Sequence, residues 1–182
     1  MKKTATDVDG VFLFDPVVHG DERGFFIEVW NRRTFAALGI GDIFVQDNHS
    51  RSIGGTLRGL HYQVCHPQGK LVRVIAGTVF DVAVDLRRSS PTFGKWAGAL
   101  LSAENRRMMW VPPGIAHGFY VTSPHAEFVY KCTDYYDPVH ERTLRWDDAD
   151  IAIPWPLTAG QLPLLSAKDR AGRMFRDAEL FD

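Results

Sequence analysis

The feature that most limits how this sequence can fold is alternation between apolar and polar residues, repeated along most of the chain. Sixteen glycines and ten prolines divide the 182 residues into short segments rich in Val, Phe, Trp and Tyr. A period of two is typical of strands that bury one face, and Gly and Pro mark the turns between strands. The pattern predicts an all-β sandwich or barrel.

The clearest segment covers residues 70–86. Val72 and Val74 alternate with other residues before Gly77, and a second alternating row follows it at residues 80–86. This pattern predicts a β-hairpin that turns at Gly77.

Other strands and two short helical segments are expected elsewhere. Helical periodicity is limited to residues 32–38, which Gly39 should end, and to a turn near 167–170. The whole chain, 1–182, is expected to form one domain, in which the proline-rich residues 147–182 wrap the barrel as a C-terminal extension. The remaining strand candidates are 24–30, 57–63, 96–101, 108–111, 118–121 and 127–132.

Composition argues against several classes of function. The formal net charge of −1 provides no positive excess for holding nucleic acid through its phosphates. No apolar run is long enough to span a membrane, and Asp7 and Asp9 interrupt any signal-like segment, so we expect no membrane association and a cytoplasmic location. Cys65 and Cys132 are too few for a disulfide framework and lie in no CxxC pair.

Three chemically active side chains lie within segments that otherwise have strand character. Arg58, His61 and Lys70 must either face water or line a pocket that needs their charge. Strict alternation places Arg58 and His61 on opposite faces of their strand. We therefore predict that Gly59 forms a bulge or bend, so that both side chains reach one cavity.

Residues 59–77 and 110–118 resemble the paired motifs of cupin barrels, many of which bind iron, manganese or zinc through histidines and a carboxylate. Here His61 and His66 lie five positions apart, on opposite faces of a strand. Lys70 stands where the carboxylate is expected, and an ammonium repels a dication. We predict no metal, with Lys70 supplying the positive charge instead. A metal-binding cupin stays the alternative.

Ten further segments are jointly specific: GDERGFFIE (20–28), VQDNHS (45–50), LRGLHYQ (57–63), PQGKLVR (67–73), FDVAVD (80–85), SAEN (102–105), PGIAHGF (113–119), YKCTDYY (130–136), RWDD (145–148) and LSAKD (165–169). In these the sequence resembles the dTDP-4-dehydrorhamnose 3,5-epimerase family over nearly the whole chain. The resemblance implies a cupin-like double-stranded β-helix, or jelly-roll barrel, with a few short helices. It also implies an isomerase without cofactor or metal, acting as a homodimer on a dTDP-linked 4-keto-6-deoxyhexose at C3 and C5.

The resemblance also implies roles for individual residues. His61 would be the base, paired with Asp169, and an imidazole suits this role because it titrates near neutrality. Lys70 would stabilise the enolate, and Tyr130 would be the acid on the opposite face of the sugar. Tyr136 would stack on thymine, and two of the binding residues would come from the neighbouring subunit, Arg23 and Glu28. The full set of implied binding residues is Arg23, Glu28, Gln46, Asn48, Arg58, His117, Tyr136, Glu141 and Lys168.

Two functional alternatives stay open. Related proteins with the same site invert C3 or C5 alone, and no residue in this sequence separates them from a double epimerase. A catalytically silent barrel that only binds a sugar nucleotide is the other alternative. The presence of His61, Lys70, Tyr130 and Asp169 argues against a silent barrel.

Overall fold

Two antiparallel β-sheets face each other, and a separate hairpin extends from them. The computed structural model describes residues 1–158 and 160–182. Its strands are β1 (Lys2–Ala5), β2 (Phe12–Asp15), β3 (Val18–Asp21), β4 (Gly24–Ile27), β5 (Gln46–Ile53), β6 (Leu57–Gln63), β7 (Lys70–Ala76), β8 (Thr78–Asp85), β9 (Trp96–Ser102), β10 (Met108–Val111), β11 (Ile115–Val121), β12 (His125–Cys132) and β13 (Glu141–Thr143). The helices are α1 (Arg32–Ala37), α2 (Ala167–Arg170) and a 3-10 turn (Phe175–Asp177).

The strand order defines a jelly-roll barrel. One sheet has six strands in the order β1-β2-β10-β7-β12-β5, and the other has five in the order β13-β6-β11-β8-β9. Within the part of the chain that the structure describes, strands β3 and β4 pair only with each other. The fold class expected from the sequence, an all-β, cupin-like double-stranded β-helix with a few short helices, is confirmed.

An apolar core fills one part of the space between the sheets. Val72 and Val74 of the six-stranded sheet meet Leu101 of the five-stranded sheet in a single buried cluster. Full burial of one such side chain contributes about 1.5–3 kcal/mol. Phe119 and Phe128 belong to the same cluster and stack across the gap, with ring centroids 4.3 Å apart. Their position fixes where the core ends and a polar cavity begins.

The C-terminal residues lie over the outer face of the five-stranded sheet. Trp155 and Phe181 pack in a second cluster with Leu60 and Val84 of that sheet. The Leu57 amide donates to the Leu164 carbonyl at 3.0 Å. These contacts bring α2 beside β6. No helix within the described residues has the length and apolarity needed to span a membrane.

The predicted hairpin at residues 70–86 is wrong. Strand β7 pairs with β10 and β12, whereas β8 pairs with β9 and β11, so the two lie in different sheets. Gly77 has φ +74° and carries the chain from one sheet to the other. Two consecutive strands that each bury one face show the same alternation of apolar and polar residues whether they pair in a hairpin or lie in facing sheets. The sequence pattern therefore could not distinguish a hairpin from a crossover between sheets.

Most of the other predicted elements are confirmed, some with different ends. Residues 57–63, 96–101, 108–111 and 127–132 lie in β6, β9, β10 and β12, and 118–121 is the end of the longer β11. Both short helices are present, and Asn31 caps α1. The strand predicted for 24–30 ends at Ile27, because Val29 and Trp30 turn to pack against a third cluster around Phe14.

Strand β5 was not predicted. Its sequence, QDNHSRSI, contains no apolar residue before the last position and therefore gives no strand signal. The face that carries Gln46, Asn48 and Ser50 is less exposed than the face that carries Asp47 and His49. The inward face is polar because Ser50 lines the cavity and Gln46 and Asn48 lie beside it, so that this face does not pack in the core.

Candidate active site

A polar cavity of about 230 Å³ lies between the two sheets at the end of the apolar core. Phe119 and Phe128 form its apolar side. The five-stranded sheet supplies Arg58, His61, His117 and Glu141, the six-stranded sheet supplies Ser50, Lys70 and Tyr130, and α2 supplies Lys168. The described strands thus place cations, an imidazole and a phenol from facing sheets in one compartment.

His61 lines this cavity and is hydrogen-bonded to Asp169, which lies behind it and does not line the cavity. The imidazole Nε2 lies 2.7 Å from Oδ1 of Asp169, which is almost fully buried. Burial lowers the pKa of His61, and the hydrogen bond to Asp169 offsets this only in part. Burial alone would raise the pKa of Asp169, but hydrogen bonds from His61 and Ser166 bring it to about 2. At neutral pH the pair is therefore a neutral imidazole held by an ionised carboxylate.

Lys70 projects into the cavity from the start of β7. It shares the inward face of that strand with Val72 and Val74. Burial lowers the pKa of its ammonium, and the negative charges of Glu141 and Asp81 do not fully compensate. Burial thus disfavours the charged form of this amino group, and an oxygen that gains negative charge nearby would stabilise that form.

Tyr130 faces the same cavity from β12. Lys70 pairs in register with Cys132, and Tyr130 lies two residues before Cys132 on the same face. The phenol and the ammonium are therefore diagonal neighbours on adjacent strands. Burial raises the pKa of Tyr130, so the phenol keeps its proton and can donate it.

A second histidine and carboxylate pair lies beside the first. His117 pairs in register with His61 on the adjacent strand, and its Nε2 lies 2.9 Å from Oδ1 of the fully buried Asp81. Burial raises the pKa of Asp81, against the pull of His117. No role was assigned to Asp81 from the sequence. The available signal was an aspartate in the middle of the apolar row TVFDVAVD, where a charge needs a partner.

Polar residues at the mouth of the cavity form a connected network. Lys168 Nζ lies 2.5 Å from Glu141 Oε2, and the Tyr136 hydroxyl donates to the same oxygen at 2.8 Å. Burial alone would raise the pKa of Glu141, but the bonds from Lys168 and Tyr136 hold it below its usual range. Gln46 accepts from the Tyr136 amide at 3.0 Å and donates to Asn48 at 3.1 Å. Gln46, Asn48 and Tyr136 thus lie beside the cavity without lining it.

The predicted bulge at Gly59 is confirmed. Between the pairs His117–His61 and Phe119–Arg58, β11 advances by two residues while β6 advances by three. Gly59 has φ +117°, and a Cβ there would lie 2.6 Å from the Gly118 Cα. The extra residue lets Arg58 and His61 line one cavity, although Arg58 also stays partly open to solvent. Its Nε donates to Ser52 Oγ at 2.9 Å.

Besides Gln46, Asn48 and Tyr136, two further expected binding residues do not line the cavity of their own chain. Arg23 lies at the turn of the β3–β4 hairpin, with a side chain that is 85% exposed, and bonds to Asp21. Glu28 accepts from Asn31 at 3.1 Å and from Thr34 at 3.3 Å. Within one chain these residues lie apart from the other site residues.

The residues considered for a metal site are separated in the structure. His66 is exposed and lies 3.6 Å from Asp134, away from the cavity that His61 lines. Among residues 1–158 and 160–182, no three His, Cys, Asp or Glu side chains are arranged to hold a metal ion.

The geometry suits proton transfer at a carbon next to a carbonyl group. A neutral imidazole with a fixed carboxylate can remove a proton. An ammonium can stabilise the negative charge that then develops on the carbonyl oxygen. A phenol from the facing sheet can return a proton from the other side, and this sequence of steps inverts the carbon.

Comparisons with known proteins agree with this chemistry. A family model described as dTDP-4-dehydrorhamnose 3,5-epimerase matches residues 5–177. A curated dTDP-4-dehydrorhamnose 3,5-epimerase from Pseudomonas aeruginosa is 58% identical over 182 residues, which cover 100% of this chain and 99% of the relative.

Solved structures are similar as well. A Legionella pneumophila dTDP-6-deoxy-D-glucose-3,5-epimerase in complex with dTDP-4-keto-L-rhamnose has 51% identity and a TM-score of 0.94, over 98% of this chain and 94% of the other. A 3'-monoepimerase from Streptomyces bikiniensis in complex with dTDP-quinovose has 31% identity and a TM-score of 0.86, over 93% and 86% of the two chains.

Proposed function

The chain belongs to the dTDP-4-dehydrorhamnose 3,5-epimerase family, and we propose that it inverts both C3 and C5 of dTDP-4-dehydro-6-deoxy-D-glucose to give dTDP-4-dehydro-L-rhamnose. As a member of this family it is an isomerase that acts as an epimerase. The observation that carries the proposal is that His61 and Tyr130, from facing sheets, line one cavity together with Lys70.

His61 removes the proton from the carbon next to the C4 ketone. Its Nε2–H donates to Asp169, which leaves the lone pair of Nδ1 as the base. The C–H bond breaks, its electron pair forms the enolate, and the imidazole becomes an imidazolium that the Asp169 carboxylate stabilises.

The enolate charge develops on the C4 oxygen, and Lys70 supplies the fixed positive donor there. Loss of a donor of this kind typically costs about 2.7–4 kcal/mol of transition-state stabilisation. Tyr130 then gives its phenolic proton to the opposite face of the carbanion and becomes a phenolate. The His61 imidazolium releases its extra proton to solvent, and the phenolate takes a proton from solvent, so that both groups return to their starting state. The same cycle at the second carbon completes the reaction.

The remaining polar residues bind the nucleotide. Arg58 and Lys168 suit diphosphate oxygens, because an arginine fork and an ammonium both complement phosphate charge. Tyr136 offers an aromatic face to thymine. The other residues that we assign to binding are Gln46, Asn48, His117 and Glu141.

We further propose that the active form is a homodimer of single-domain subunits. Arg23 and Glu28 lie outside the cavity of their own chain, which supports their delivery to the site of a partner subunit. The exposed β3–β4 hairpin suits such a role, since it makes no strand pairs with the rest of its own chain within the described residues. A cytoplasmic location stays a prediction.

A single-position epimerase is the second candidate. The Streptomyces bikiniensis 3'-monoepimerase has the same fold, so the fold alone does not decide how many carbons are inverted. The higher identity to double epimerases favours inversion at both positions.

Proton NMR of the reaction in deuterium oxide tests the proposal. We expect deuterium at both C3 and C5 and an L-rhamno product. Deuterium at C3 only, with inversion there, would make the protein a monoepimerase. Binding of the substrate without any exchange would leave a silent binding barrel.

His61→Ala should abolish exchange while calorimetry still detects binding of dTDP. His49→Ala is the matched control. His49 lies on the outward face of β5, bonded to Glu127, and its loss should leave exchange unchanged.

A further inference from the structure

We propose that Ser166 is a positioning residue for the catalytic base: its hydroxyl fixes the Asp169 carboxylate in the orientation that His61 requires. This inference rests on the proposed role of His61. Ser166 is the residue that precedes α2, and it does not line the cavity. It would therefore act on the reaction only through Asp169.

The two oxygens of the Asp169 carboxylate have separate partners. Oδ2 accepts from the Ser166 hydroxyl at 2.6 Å and from the Ser166 amide at 3.3 Å. Oδ1 accepts from His61 Nε2 at 2.7 Å and from the Gly59 amide at 3.2 Å. Ser166 therefore holds one oxygen and leaves the other directed at the imidazole.

The contact is also a helix cap, and this explains how a short segment can hold a carboxylate in place. Ser166 Oγ accepts from the Asp169 amide at 3.1 Å, and Asp169 reaches back to the Ser166 amide. This reciprocal arrangement is a capping box. A four-residue helix has little stability of its own, so the cap sets its geometry. Asp169, which completes this capping box, is also the hydrogen-bond partner of His61, the proposed base.

The bond from the hydroxyl to Asp169 is a charge-assisted one. An O–H donor on an ionised carboxylate makes a short bond, roughly twice as strong as a bond between neutral groups. It also draws negative charge away from the side of the carboxylate that faces His61. Loss of this donor should make Asp169 a stronger acceptor and should strengthen its hold on a protonated imidazole.

Ser166 is well placed for a clean substitution. Its side chain is exposed, so alanine leaves no cavity in the core and the extra methyl group of threonine has room. Ser166→Ala removes only the hydroxyl, whereas the two backbone donors to Asp169 remain. Ser166→Thr keeps a hydroxyl at the same position and is the conservative variant.

The other charges around His61 are unchanged in these variants. Lys168 of α2 lowers the pKa of His61, while Asp169 and Glu141 raise it. The cations Arg58 and Lys70, the imidazole of His117 and the phenol of Tyr130 line the same cavity, and all four remain in these variants. A change in the titration of His61 in Ser166→Ala therefore reports on Asp169.

The experiment measures kcat, KM and the pH dependence of kcat/KM. In Ser166→Ala we expect kcat to fall about tenfold, as is typical when a supporting hydrogen bond is lost. KM should stay within about twofold, because Ser166 does not touch the substrate. The acid limb of the kcat/KM profile should move to higher pH, since His61 must lose its proton to act as base. Ser166→Thr should restore kcat and return the acid limb to its position in the parent protein.

Ser102→Ala is the control for loss of a hydroxyl that accepts from a backbone amide. Ser102 Oγ accepts from the Asn105 amide at 2.9 Å and does not line the cavity, so the variant should match the parent protein in kcat, KM and pH profile. An unmoved acid limb in Ser166→Ala, with or without a fall in kcat, would overturn the inference and leave only a capping role. Normal turnover in His61→Ala would instead overturn the proposed function, so the two failures are distinguishable.

Discussion

Lys70 occupies an environment that disfavours its own charge. Its side chain turns into the cavity, burial lowers its pKa, and Glu141 and Asp81 compensate only in part. A lysine whose pKa is lower in the folded than in the unfolded protein destabilises the fold at any pH below that folded value, because the unfolded chain binds the proton more tightly. We infer that this unfavourable placement is retained because the reaction needs the ammonium.

Lys70→Met should therefore separate activity from stability. The loss of the oxyanion donor should lower kcat by about 10²- to 10³-fold. The melting temperature at pH 7 should stay the same or rise, since the variant removes a poorly solvated charge. Kinetics and calorimetry on the same preparation check both expectations.

Lys95→Met is the control, because Lys95 is an exposed lysine outside the cavity. Lys95→Met should leave kcat and the melting temperature unchanged. A Lys70→Met protein with normal kcat would contradict the assigned role, and a much lower melting temperature would contradict the account of its burial.

Residue types were easier to predict than their partners. Arg58, His61 and Lys70 stood out because charge interrupts a strand pattern, and all three line the cavity. Asp81 lies 36 positions from His117 and shows no sequence relation to it. Ser166 resembles an ordinary helix cap, and only the folded chain shows that the capped carboxylate also holds an imidazole. Hydrogen-bond partners distant in sequence depend on the tertiary fold.

At the scale of elements, the bulge in β6 determines which side chains meet. A regular strand would direct Arg58 and His61 to opposite faces. The extra residue at Gly59 places both on the cavity, opposite Lys70 and Tyr130 of the other sheet. The position requires glycine, because φ is +117° and the backbone of Gly118 approaches closely.

Gly59→Ala should lower both stability and activity. The added Cβ would meet the Gly118 Cα and the His117 carbonyl oxygen, neither of which can move without displacing β11. Strain and overpacking together should cost roughly 2–5 kcal/mol, measurable by urea denaturation. Whatever protein still folds should have a lower kcat, because Arg58 and His61 no longer share their present spacing.

Gly41→Ala is the matched control. Nothing lies within 4 Å of a Cβ built at Gly41, and its φ is not positive. Its stability and activity should match the parent protein. Equal tolerance of alanine at both glycines would contradict the proposed role of the bulge.

Element pairing was the least predictable part of the fold. The sequence pattern located β7 and β8 correctly and still gave the wrong neighbours for both. Strand β5 was missed because a strand that lines a polar cavity lacks the apolar row on which recognition depends. The wrong pairing of β7 with β8 and the missed strand β5 both concern strands next to the cavity. The inward faces of these strands carry polar site residues as well as residues that pack in the core.

At the scale of the whole molecule, the β3–β4 hairpin is the feature that a single chain leaves unexplained. Phe25 and Phe26 are 59% and 69% exposed, and Arg23 stands at the adjacent turn. The Arg106 guanidinium stacks 4.3 Å over the Phe25 ring. Two neighbouring exposed aromatic residues on a projecting hairpin suit contact with another protein surface. A second copy of the chain is the partner that we propose.

Subunit mixing tests whether sites are shared across such a dimer. Arg23→Ala and His61→Ala should each be strongly impaired. If each site takes His61 from one subunit and Arg23 from the other, a mixed dimer has one fully normal site. Random exchange of equal amounts should then restore about a quarter of the parent activity.

The control is each variant taken through the same exchange procedure alone. Activity of the mixture that stays at the mean of the two variants would contradict sharing of the site. Sedimentation of the parent protein as a monomer at micromolar concentration would contradict the dimer itself.

Asp169 follows its partner His61 by 108 positions, on the segment that closes over the five-stranded sheet. A ribosome that has completed the barrel strands has therefore made the imidazole but not yet the carboxylate beside it. During synthesis the nascent chain therefore contains the proposed base before it contains the carboxylate that is bonded to it. The proposed base and its carboxylate partner thus come together only when the later part of the chain has been made.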